Sequence, residues 1–138
     1  MKKAYNRCWG IIFIGFIALE SLALATEISG PVLLVLALLV EAAVIALYLH
    51  QTKGLEMTGQ KARYFTYMVF WAAMLLMPKN AQPRSFQTVI SAIAVLQAVA
   101  IFLYDYKKAR CPACRAWLPL FGDSHRCTKC HALFGEKP

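Results

Sequence analysis

"YFTYMVFWAAMLLM", residues 64–77, is the stretch on which the fold turns. It is uncharged and fourteen residues long. As a helix it measures about 21 Å, against about 30 Å for the hydrocarbon core of a bilayer. The helix lengthens toward its start if Lys61 and Arg63 carry their charges out to the headgroups, and a span over about 62–77 results. Read as a span, it is the fourth and brings both chain ends to one side of the membrane. Read as a re-entrant or interfacial segment, it leaves three spans and ends on opposite sides.

Three longer apolar blocks flank it: "CWGIIFIGFIALESLALATEI" (8–28), "PVLLVLALLVEAAVIALYL" (31–49) and "FQTVISAIAVLQAVAIFLY" (86–104). Hydrophobic residues make up 59% of the 138, and blocks of this length are spans rather than core helices of a soluble domain. Pro31 stands where a first helical residue loses nothing by lacking an N–H. The basic start, the run from Cys8 to Leu19 and "ALA" at 23–25 are also the parts of a signal peptide, an alternative for the first block.

The charges favour the four-span reading. With four spans, Lys2, Lys3, Arg7, Lys53, Lys61, Arg63, Lys107, Lys108 and Arg110 share one side, and only Lys79 and Arg84 lie on the other. By the positive-inside rule the rich side is the cytoplasm. Losing the third span would strand Lys107, Lys108 and Arg110 outside. The expected protein is therefore an all-α integral membrane protein of a cell inner membrane with both termini cytoplasmic. Its expected fold is a four-helix transmembrane bundle of two hairpins (1–106) followed by a water-soluble tail (107–138).

The tail carries the strongest motif. "CPACRAWLPLFGDSHRCTKC" (111–130) holds two C-x-x-C pairs separated by twelve residues, the spacing of a tetrahedral four-thiolate site built from Cys111, Cys114, Cys127 and Cys130. Over about residues 109–135 the stretch resembles the zinc-ribbon group. The resemblance implies two knuckles pinching one structural Zn²⁺ per chain, with Arg115 and His131 where the group customarily has glycine. Iron would accept the same four ligands. "CTKCH" (127–131) also spells covalent c-type haem attachment, and either pair spells a redox dithiol, although no βαβ pattern surrounds them. A closed four-thiolate shell leaves no position for catalysis. With no paired nucleophile and base and no phosphate loop in the chain, an enzyme is not expected.

From Asp105 onward seven basic residues face three acidic ones. Four thiolates around a divalent ion add −2, leaving about +2, a thin basis for a nucleic-acid partner. Trp117, Leu118, Leu120, Phe121, Leu133 and Phe134 either cover the metal or form a face for a soluble cytoplasmic protein.

Within the membrane, Glu20 and Glu41 are the ionisable groups deep in their spans, and intramembrane carboxyls mark bundle interiors or ion paths. If the first two spans fold back about Ser29-Gly30, the two come level near the midplane. Glu27 then follows on the face of Glu20, and Gln97 lies near the middle of the last span. Ala42/Ala46 and Ala94/Ala98 are small pairs that favour close helix packing and a homo-oligomer. The expected function is an anchor or sensor subunit docking a soluble protein. The alternative is a proton or cation channel or transporter using Glu20 and Glu41.

Overall fold

The computed structural model describes residues 2–53, 59–76, 84–122 and 125–134. Helix α1 covers Lys2–Ala25, α2 Gly30–Gln51, α3 Gly59–Ala73 and α4 Arg84–Lys108, and a 3₁₀ turn, Met74–Leu76, continues α3. Among the described residues there is no extended strand, only two isolated bridges in the tail. Helices α1, α2 and α4 are long and apolar enough to cross a membrane.

Ser29 caps α2 in an extended conformation with Pro31 in its first turn, and the Val32 and Leu33 amides donate to the Ser29 carbonyl at 3.0 and 3.3 Å. At the other end the Thr52 hydroxyl closes the helix on the Tyr48 carbonyl at 2.8 Å. Helix α1 begins at Lys2, six residues ahead of the expected span start at Cys8, and stops at Ala25.

Helix α3 is central and packs against α1, α2 and α4. One core joins Ala4, Cys8 and Ile12 of α1 to Val44 and Tyr48 of α2 and to Tyr64, Met68 and Ala72 of α3. A second gathers Ala37, Leu75, Leu76 and Ile90. The outward faces are also apolar: Ile14, Leu39, Leu96 and Phe102 are exposed. A continuous apolar exterior of this kind is stable against lipid and not against water.

Two expectations change here. Lys61 and Arg63 do not reach outward. Both are buried, with Lys61 Nζ donating to the Thr52 carbonyl at 2.9 Å and Arg63 paired with Asp105 at 2.8 Å. With α3 packed against three helices, a carbonyl and a carboxylate lie within reach of these cations. The register of α1 on α2 also differs from a fold-back about Ser29-Gly30. A Cβ built on Gly15 would touch Val40 at 3.0 Å, and the Cys8 thiol faces the Val44 carbonyl. The turn is centred near Glu27–Ile28, so Glu20 comes level with the region of Leu34 and Val35. Glu41 lies six to seven residues, about 10 Å, further along α2.

Candidate metal centre

Each cysteine pair sits in a turn made by the same backbone bonds. The Arg115 N–H donates to the Cys111 carbonyl at 2.8 Å and the Cys111 N–H to Ala116 at 2.9 Å; His131 to Cys127 and Cys127 to Ala132 repeat them, both at 2.9 Å. A bridge closes each turn, Arg110 with Trp117 and Arg126 with Leu133. The repetition is in the sequence too: R-C-x-x-C-x-A at 110–116 recurs at 126–132. Each leading arginine folds back on its own turn, Arg110 Nη1 to the Arg115 carbonyl at 3.4 Å and Arg126 Nε to the His131 carbonyl at 3.3 Å.

Arg115 and His131 both have φ 56°. The left-handed geometry that glycine customarily supplies is thus kept by residues with side chains, at a cost of about 1–2 kcal/mol for each. Arg115→Gly and His131→Gly are therefore expected to hold the metal at least as well as the parent, with amide exchange in residues 111–133 slowed or unchanged. Valine at either position, β-branched and intolerant of positive φ, should weaken metal retention measurably in a chelator competition.

The two turns face one another. Cys111 Sγ lies 3.6 Å from Cys130 Sγ and Cys114 Sγ 3.7 Å from Cys127 Sγ, and all four sulfurs lie within 4.8 Å of one another. Sulfurs at about 2.3 Å around a tetrahedral ion stand about 3.8 Å apart, so the cluster matches the size of a four-thiolate site and can hold a metal ion. None of the cysteines is in a disulfide. The Cys130 and Lys129 backbone N–H groups aim at Cys127 Sγ and hold its thiol down to about 6. Cys130, although the Ala132 N–H favours its thiolate, is pushed up to about 12 by Cys114 and its other sulfur neighbours. Sulfurs this close do not all ionise without a cation among them.

The centre is fastened to the helices. Leu118 packs with Cys111 and Cys127, and its N–H donates to the Ala109 carbonyl at 3.0 Å. Next to it, the Trp117 indole N–H donates to Asp105 Oδ2 at 3.0 Å, the oxygen that also accepts from Arg63 Nη1 at 2.9 Å. The Arg63 guanidinium lies 5.5 Å from the Trp117 ring centroid and 5.9 Å from that of Tyr67, while its Nε and Nη2 have no hydrogen-bond partner. At the start of α3, Gly59 is buried, and a Cβ there would collide with the Arg110 carbonyl. Lacking a side chain, it lets the tail backbone close on the helix.

The other polar residues are placed as follows. Gln97 Nε2 donates to Glu41 Oε2 at 2.9 Å, so the expected extra member does join Glu41. Glu20 instead borders a cavity of about 50 Å³ with Leu33, Leu34 and Ala37, offset from Glu41 by the register described above. Glu27 lies past the end of α1 in the turn and is exposed, so the helical-face argument that placed it with Glu20 does not apply.

Arg63, Asp105 and Trp117 form a polar node that was not among the expected site residues. Its signal was there: a lone arginine before the third apolar block and a lone aspartate just after the fourth, at matching ends of neighbouring antiparallel helices. No protein-family profile, curated protein or solved structure matches this chain.

Proposed function

We propose that this chain is a membrane anchor that displays a structural zinc ribbon to the cytoplasm for a soluble protein to dock on. In this reading α3 is the fourth span of a four-helix bundle in a cell inner membrane, with both termini cytoplasmic. The observation that carries it is the cluster of four sulfurs of tetrahedral dimensions, seated on the helices through Trp117 and Asp105. A site with four protein ligands has no vacant position for a substrate, so the ion's part is to hold a surface in shape. Four thiolates suit Zn²⁺.

Several facts support the rest. The nine-to-two division of cations argues for α3 spanning, and α3 packs against each of the other three helices. The surface left for a partner is the second turn, where Leu133 is 72% exposed amid exposed Arg126, Lys129 and His131. An apolar point in a cationic rim fits an acidic segment with one apolar anchor. Ala42, Ala46 and Ala98 remain exposed, leaving small-residue faces for a second copy of the chain.

A pore along the carboxyls has less behind it. Glu41 is satisfied by Gln97, and every other residue bordering the small cavity at Glu20 is apolar, which gives a water too few polar partners to form a file.

Co-purification tests the anchor. Leu133→Asp is expected to release a bound soluble protein while retaining one zinc per chain. A partner and phenotype that both survive removal of residues 109–138 would end the docking proposal.

A further inference from the structure

The segment "AWLPLFG" (116–122) between the two turns carries no charge, and Phe121 is 75% exposed. Its position shows what covers it. The Phe121 ring stands edge-on to Phe70 at 6.3 Å, Phe70 to Trp71 at 5.8 Å and Trp71 to Trp9 at 6.2 Å. Beside it, the Gly122 backbone hydrogen-bonds the Tyr67 hydroxyl. Phe70 lies seven residues along α3 from Arg63, about 10 Å further into the helical region. Trp9 is two residues past Arg7, the last cation of α1. The loop thus hangs from the metal centre down the side of α3, to the depth where the helices begin their apolar exterior.

At that depth the side chains form one chain of rings, and it continues deeper through Phe13, stacked on Trp9 at 5.7 Å and itself exposed. Tryptophan and other amphipathic rings gather where headgroups meet acyl chains. Lys107 and Lys108, exposed in the last turn of α4, are the kind of cation that anionic headgroups attract. The second turn differs: Leu133 sits among cations, and the ring contact of this segment with the helices, His125 on Tyr64 at 6.4 Å, lies beside Arg63 at the start of α3 rather than at the depth of Phe70.

From this placement we infer that residues 116–122 are an interfacial membrane anchor: Phe121 enters the boundary between phospholipid headgroups and acyl chains and seats the four-cysteine module on the bilayer. The occupant of this apolar surface is lipid, and only the second turn faces the cytosol. The inference rests on the membrane reading and goes beyond the docking proposal, from which it removes Phe121.

The test uses the full chain in vesicles of phosphatidylcholine and phosphatidylglycerol, with photoreactive benzoylphenylalanine in place of Phe121, Leu133 or Leu96 in turn. After irradiation, mass spectrometry counts phospholipid adducts. Positions 121 and 96 are expected to label lipid to a similar extent and position 133 several-fold less. If 96 labels and 121 behaves like 133, the anchor is refuted and the membrane reading stands; if 96 also fails to label, both fall. A second measurement avoids the bulky probe. Phe121→Asp should speed amide exchange across 116–122 several-fold while leaving 126–133 unchanged, and unchanged exchange in both segments would overturn the inference.

Discussion

Serine in place of any one of Cys111, Cys114, Cys127 or Cys130 is expected to take the metal content from one ion per chain to none and to unfold the tail. The reason is the size of its core. Cys111, Leu118 and Cys127 are the buried residues of this cluster, with Ala132 and Phe134 partly covered. A module of about 30 residues does not bury enough apolar surface to fold alone. Binding of a structural zinc is folding energy in such modules, on the order of 10–16 kcal/mol. The four positions should differ under a milder change. Cys111 and Cys127 are buried, whereas Cys114 and Cys130 are exposed, leaving room for an imidazole. Cys130→His should therefore keep one ion as a three-cysteine, one-histidine site, while Cys127→His should lose it. Elemental analysis of the purified protein reads all of these outcomes, and iron or no metal in the parent would refute zinc.

The second large effect is expected at the helices. Asp105→Ala leaves the Arg63 guanidinium buried without its counter-charge and the Trp117 N–H without its acceptor, since both now use the same carboxylate. Breaking one side of a buried pair costs about 3–5 kcal/mol. Replacing both members, Arg63→Leu with Asp105→Leu, removes the uncompensated charge and should recover most of that loss. Unfolding in mixed detergent–denaturant solutions measures the cycle. Because Trp117 is bridged to Arg110 across the first turn, the single variant should also give up its metal to a chelator several-fold faster than the parent. Equal rates would mean that the helices and the metal centre are independent.

How far the sequence discloses this molecule depends on the range of the interaction concerned. The four cysteines are legible because a knuckle is local: spacing alone puts both thiolates of a pair on one turn. Residues 8–28, 31–49 and 86–104 are legible because lipid selects composition over a whole helix. The level of Glu20 against Glu41 is not, because a displacement of the turn by two or three residues slides one helix past the other by twice that number. The burial of Arg63 shows the same limit differently. Scored alone, an arginine beside an apolar block belongs at the headgroups, and it turns inward only because α4 delivers Asp105 to the same place. The left-handed turns at Arg115 and His131 are a third case, where glycine is replaced but the geometry persists through repeated hydrogen bonds from Arg110 and Arg126.

The packing of α3 against the other three helices has a consequence for how the chain is made. A segment that opens with Lys61 and Arg63 and continues with only fourteen uncharged residues is short for a span and carries cations at its entry, so it partitions poorly from the translocon on its own. The groups that neutralise these charges arrive at different times. Thr52, which takes Lys61, has already been synthesised, but Asp105 and Trp117 emerge 42 and 54 residues after Arg63. In the proposed four-span arrangement α3 therefore waits at the bilayer surface, or beside the insertion machinery, until α4 follows. In that arrangement the two are expected to enter as a hairpin, with the four-cysteine tail closing over the entry point last.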